Sequence, residues 1–155
     1  MDTTPDPILR GTAHLPWLEI APGFSLKVLH GEKDADTRAL LLRLEPGTKI
    51  ARHRHEGEVH AFNLAGTRRL DTGELVGPGG YVHEPAGNED SWEAVGDEPV
   101  VVFVTVRGAM QTLGLPPGEG RTTTSSIAEA YRRFVAERST SSGAEAAPHL
   151  PAAVR

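Results

Sequence analysis

Cysteine is absent from this 155-residue chain. That excludes a disulfide framework and thiolate ligation, so any metal held here must sit on nitrogen and oxygen donors. Aromatic residues make up only 5%, and no apolar run approaches the ~20 residues that cross a bilayer as a helix. No basic leader followed by an apolar segment opens the sequence, and with the missing cysteine this gives the expectation of a cytoplasmic protein. Positive charge is also short: 16 Lys and Arg against 21 Asp and Glu give a net charge of -5. The basic stripe that nucleic acid or an anionic membrane requires is missing, which leaves a small molecule as the expected partner.

Turn residues are plentiful instead. With 17 glycines and 12 prolines against 38% hydrophobic residues, the chain reads as short strands joined by many turns, mainly β, in one domain. Strands are expected over Phe24 to His30, Thr37 to Leu44, Tyr81 to Glu84, Ser91 to Val95 and Pro99 to Val106, with a hairpin and turn between Thr67 and Gly80. Strands at this spacing suggest a sandwich or a small barrel. After Gly120 the period changes: Ile127, Tyr131, Phe134 and Val135 share a helical face, and Ser126 with Glu129 reads as a capping box. The expected division is a flexible N-terminus over 1–14, a β-domain with one C-terminal helix over 15–138, and a disordered tail over 139–155.

The run from Gly47 to Gly66, GTKIARHRHEGEVHAFNLAG, holds the chemistry. On a strand, His53 and His55 leave from one face, and Arg52 and Arg54 from the other. After a turn at Glu56 and Gly57, a strand returning antiparallel would put His60, Phe62 and Leu64 on one face and bring His60 back toward the first two imidazoles. Three neutral ring nitrogens aimed at one point suit iron, manganese, zinc or nickel.

Gly47, His53, His55, His60 and Gly66 together resemble the first motif of the cupin superfamily, in which a Glu usually stands where His60 stands. Gly80, Pro85, Gly87 and Asp90 resemble its second motif, with Asp90 in place of the usual histidine. The phrases RHRHEGEVHAFNLAG and YVHEPAGNEDSWEAVGDEP look like the cupin subgroup of 2,4'-dihydroxyacetophenone dioxygenase and acetylacetone-cleaving enzyme, over about Trp17 to Val135. The resemblance implies a single jelly-roll cupin domain and a non-haem iron(II) dioxygenase, cleaving a carbon–carbon bond in a small hydroxyketone or diketone. It implies one divalent metal, most simply Fe2+, with Zn2+, Mn2+ or Ni2+ as alternatives, and a homodimer. His53, His55 and Asp90 would supply two nitrogens and a carboxylate, with His60 as a fourth ligand or a donor beside the site.

The other candidates have simpler readings beside these roles. Asp90 can serve as a turn carboxylate bonded to nearby amides. His83 reads as an exposed edge residue, with approach to the metal from an opposite wall as its rival role. Glu58 reads as a rim carboxylate that, like His60, could move the proton lost on enolisation. Phe62, Leu64, Trp92 and Val104 are expected to line the interior and wall the substrate pocket. Arg68 and Arg69 read as solvated charges, and His14, His30 and His149 receive no role. A non-oxidative metal-dependent isomerase, decarboxylase or hydrolase, and a non-catalytic small-ligand binder, are the alternative functions.

Overall fold

β-Branched residues at every other position of Val100–Arg107 build the central strand of the protein. Val100, Val102, Val104 and Val106 are buried, while Val101, Phe103, Thr105 and Arg107 take the opposite face. In the computed structural model, which describes residues 12–140, this strand (β10) pairs antiparallel with Thr37–Leu44 (β3) on one side and Val59–Ala65 (β5) on the other. Leu18–Ala21 (β1) and Phe24–Glu32 (β2) extend the sheet beyond β3, and Tyr81–Glu84 (β8) extends it beyond β5.

A second sheet runs in the order β12-β11-β4-β9-β6-β7. Its members are Lys49–His55 (β4), Thr67–Leu70 (β6), Leu75–Val76 (β7), Glu89–Val95 (β9), Met110–Thr112 (β11) and Arg121–Thr122 (β12). The sheets meet over a core in which Leu40, Leu44, Val59, Ala61 and the four inward valines of β10 pack with Trp92 and Ala94 of β9. Each large apolar side chain buried there contributes about 1.5–3 kcal/mol. The result is a two-sheet jelly roll with one helix, as the sequence led us to expect; the sheets face each other rather than closing into a barrel.

The helix, Thr124–Thr140 (α1), starts earlier than expected. Thr123 rather than Ser126 is its cap: the Thr123 hydroxyl accepts from the Ser126 N–H at 3.1 Å, and the Ser126 hydroxyl accepts from the Thr123 N–H at 2.9 Å. Asp36 adds a second cap, accepting from the Thr124 N–H at 2.8 Å, and this bond is the main reason its carboxyl titrates below the ordinary range. The expected flexible segment 1–14 and tail 139–155 lie outside the described residues, except that Thr12–His14 form a 3-10 turn and α1 reaches Thr140.

One crossing sets up everything functional. β4 and β5 do not form the hairpin expected from the sequence, because they belong to different sheets. The chain passes between the layers at Glu56–Glu58, where Gly57 lies so close to the Arg107 carbonyl that a Cβ would stand 2.2 Å from its oxygen. Only glycine fits that approach.

Candidate functional site

Two residues apart on β4, His53 and His55 both enter the space between the sheets at 4% and 5% exposure, while Arg52 and Arg54 face solvent. Their rings meet edge-on, with centroids 4.8 Å apart. His53 Nδ1 lies 2.8 Å from the Ala51 carbonyl. Donating its N–H there leaves the Nε2 lone pair free. His55 Nδ1 is buried with no hydrogen-bond partner. Burial, then the positive charges of His53 and Arg38, push the His55 pKa down to about 4, so its ring is neutral near pH 7, the form that ligates metals.

Asp90 stands opposite His53 in the β4–β9 ladder, buried, on a strand rather than in the turn expected for it. Burial chiefly, then repulsion from Glu84 and Asp71, raises its pKa to about 6 against the pull of His53 and the Ser91 N–H. Glu84 on β8 is a second buried carboxylate and accepts a 2.8 Å bond from the Asn88 amide.

Arg68 is not the solvated charge expected from its place near a hairpin end. It is 2% exposed, donates Nε–H to the buried Asn63 at 2.9 Å, and holds its guanidinium 4.7 Å over the Trp92 ring. Its Nη2 is buried without a partner. Burial lowers its pKa, opposed by Asp90 and Glu84, but arginine remains charged in such settings. These groups border a cavity of about 140 Å³ lined by His53, His55, Arg68, Glu84, Trp92 and Val104 among others.

The donors fit a divalent ion: two imidazoles with an orphaned buried nitrogen between them and a carboxylate across the ladder make a nitrogen-and-oxygen set with room for further ligands.

His60, Phe62 and Leu64 lie elsewhere. They share a face as expected, but it is the outer one: Val59, Ala61 and Asn63 are the buried residues of β5, and Phe62 and Leu64 are 42% and 50% exposed. His60 thus does not join His53 and His55, and Phe62 and Leu64 do not line the interior, whereas Trp92 and Val104 do. Glu58 is exposed on the same outer side, so neither it nor His60 can move a proton inside the cavity. His83 is exposed, as its simpler reading held, but it stands opposite His60 across the β5–β8 ladder.

Sequence reasoning missed Glu84 and Arg68. Alternation offered a signal for the first, since Tyr81 and His83 on one face put Val82 and Glu84 on the other. Nothing in the sequence marks Arg68 as interior.

Two facing antiparallel sheets with a histidine pair and a small cavity between them define a cupin. More narrowly, the chain belongs to the ChrR cupin-like domain family, whose profile matches residues 6–111. No curated protein matches it by sequence. Among solved structures, it is similar to a protein of unknown function with a cupin-like fold from Ralstonia eutropha JMP134, at 19% identity and TM-score 0.74 over 83% of this chain and 85% of that one. An acetylacetone dioxygenase from Acinetobacter johnsonii aligns at 14% identity and TM-score 0.65, covering 76% and 86%. The complex of SigE with the anti-sigma ChrR from Rhodobacter sphaeroides aligns at 22% identity and TM-score 0.52, covering 58% of this chain and 47% of the matched chain. At these identities the likeness is one of fold.

Proposed function

We propose that this cupin is a metal-dependent dioxygenase cleaving a carbon–carbon bond in a small hydroxyketone or diketone. The observation that carries the reading is the buried pair His53 and His55, bordering a cavity, with the His55 ring neutral near pH 7 and Asp90 opposite His53. A divalent metal, most simply iron(II), held by these three residues would supply the Lewis acid and the redox equivalents that dioxygen chemistry needs. The His53 bond to the Ala51 carbonyl fixes ring orientation and tautomer.

Charge supports the substrate class. Arg68, Asp90 and Glu84 carry a net charge of -1 when both carboxylates are ionised, and a divalent ion takes the interior to +1. A positive interior favours an enolate over its neutral parent, and the unpartnered Arg68 Nη2 is the donor available to an oxyanion. Glu84, bordering the cavity, is the carboxylate placed to take the proton lost on enolisation. Trp92 and Val104 give the cavity an apolar wall for the carbon skeleton. A cavity near 140 Å³ suits a substrate of a few heavy atoms and is too small for a nucleotide or a sugar chain.

The test is oxygen uptake by iron-loaded protein against a panel of 1,3-diketones and 2-hydroxyketones. Uptake abolished by His53→Ala supports the reading, and no uptake with any member overturns it. One observation favours a second reading. Asp90 stands where the resembled cupin motif has a histidine, and a similar fold occurs in the complex of SigE with the anti-sigma ChrR, which suits a cavity that binds a small ligand without turnover. Thermal stabilisation by the same compounds without oxygen uptake would mark that case.

Homodimerisation belongs to the proposal as well. The outer row of Phe62, Leu64 and Tyr81, each more than 40% exposed, supports pairing of two copies through the β5–β8 edge. Among the described residues, no helix is long and apolar enough to cross a membrane. A cytoplasmic setting, which the lack of cysteine supports, completes the reading.

A further inference from the structure

We propose that Glu58, His60 and His83 form a second metal site, for a zinc-class divalent ion, on the outer face of the β5–β8 sheet edge. Among the described residues they make up the group of three whose ligand atoms lie within 4.8 Å of one another. His60 Nε2 is 3.6 Å from Glu58 Oε1, and His83 Nε2 is 3.3 Å from Glu58 Oε2. Two ligands bonded to a tetrahedral zinc at about 2.05 Å stand about 3.3 Å apart, so each ring nitrogen already stands from a carboxylate oxygen at about the spacing an ion requires.

The site is also oriented. The two imidazoles are a directly paired couple in the ladder, stacked with centroids 4.9 Å apart and planes 28° from parallel. His60 Nδ1 lies 2.5 Å from the Tyr81 hydroxyl. A ring whose Nδ1–H donates to that oxygen presents its Nε2 lone pair toward Glu58, as outer partners do for metal-bound histidines. Three protein ligands leave the fourth position open. Glu58 and His60 also border a depression of about 290 Å³ shared with Thr105 and Arg107, with room for water or a small anion at that position.

This site is independent of the interior centre, because His60 and His83 lie on the opposite sheet face from His53 and His55. The competing account is an ion-free cluster in which both imidazoles donate to Glu58. Zinc titration of the full-length, chelator-stripped protein separates the two, comparing wild type with His60→Ala/His83→Ala. Both positions are partly or fully exposed, so the variant keeps the fold, which far-UV circular dichroism checks. Wild type is expected to take up one zinc equivalent more than the variant, and Co2+ to give tetrahedral absorption that the variant loses. Tyr81→Phe, altering a positioning residue, is expected to keep the equivalent at about 10-fold weaker affinity. Equal zinc stoichiometry and affinity in wild type and His60→Ala/His83→Ala overturns the proposal.

Discussion

Asp90 faces His53 directly across the β4–β9 ladder, and both side chains are buried between the sheets. Asp90→Asn keeps the shape and removes the negative charge that offsets an ion held by the two imidazoles. Interior affinity for Fe2+ is expected to fall about 10–100-fold, as for the loss of other groups around metal sites. Anaerobic titration in a His60→Ala/His83→Ala background reads the interior alone, and an unchanged isotherm would rule out a role for Asp90. Asp90→His, which restores a third imidazole, should bind Fe2+ at least as tightly as wild type.

Arg68 joins stability to ligand charge. Removing it strips Asn63 of a partner and takes away a buried positive charge that Asp90 and Glu84 favour. Arg68→Ala is expected to cost about 2–5 kcal/mol in urea unfolding, from the cavity left over Trp92 and the unpaired Asn63 oxygen. Arg68→Met keeps most of the volume over Trp92, so its loss should be smaller, yet it removes the orphaned donor. An increase in KM for an enolisable diketone with little change in kcat would assign Arg68 to binding the anion.

The crossing at Gly57 directs His55 inward and Glu58 and His60 outward. Gly57→Ala forces a Cβ against the Arg107 carbonyl, backbone that cannot yield cheaply. The expected destabilisation is about 1–3 kcal/mol, read from the urea midpoint. Because the crossing also spaces Glu58 from His60, zinc affinity at the outer site should drop in the same variant. A variant as stable as wild type would show that the strand ends shift freely.

Much of this was legible in the sequence, and the exceptions share a cause. The His53–His55 pair was readable because alternation on a strand needs no tertiary information. The face of β5 was not. Its larger apolar residues, Phe62 and Leu64, point outward beside Phe103 and Tyr81, while the interior receives Val59, Ala61 and Asn63, so hydrophobicity pointed to the wrong face. His60 was misplaced with them. The assumption that a two-residue turn makes a hairpin added to the error, since here it changes sheets. Arg68 was unreadable because its burial depends on Trp92 and Asn63, contacts that no local pattern encodes.

Alkaline pH tests how firmly α1 closes the cavity, which Ile127 of the helix helps to line. Tyr131, buried on the same helix, donates its hydroxyl to the Pro16 carbonyl at 2.7 Å, and burial pushes its pKa up to about 12. Unfolded tyrosine titrates near 10. Between about pH 10 and 12 the native state therefore holds a proton that the unfolded state has lost. Stability falls as pH rises, by about 1.4 kcal/mol per unit at most; this contribution is intact below pH 10 and lost toward pH 12. Tyr131→Phe lacks that dependence but gives up the hydrogen bond, about 1 kcal/mol. Wild type should be the more stable protein at pH 7, with the difference vanishing or reversing by pH 11. Parallel urea midpoints at the two pH values would show instead that Tyr131 is solvated and that the helix is anchored elsewhere.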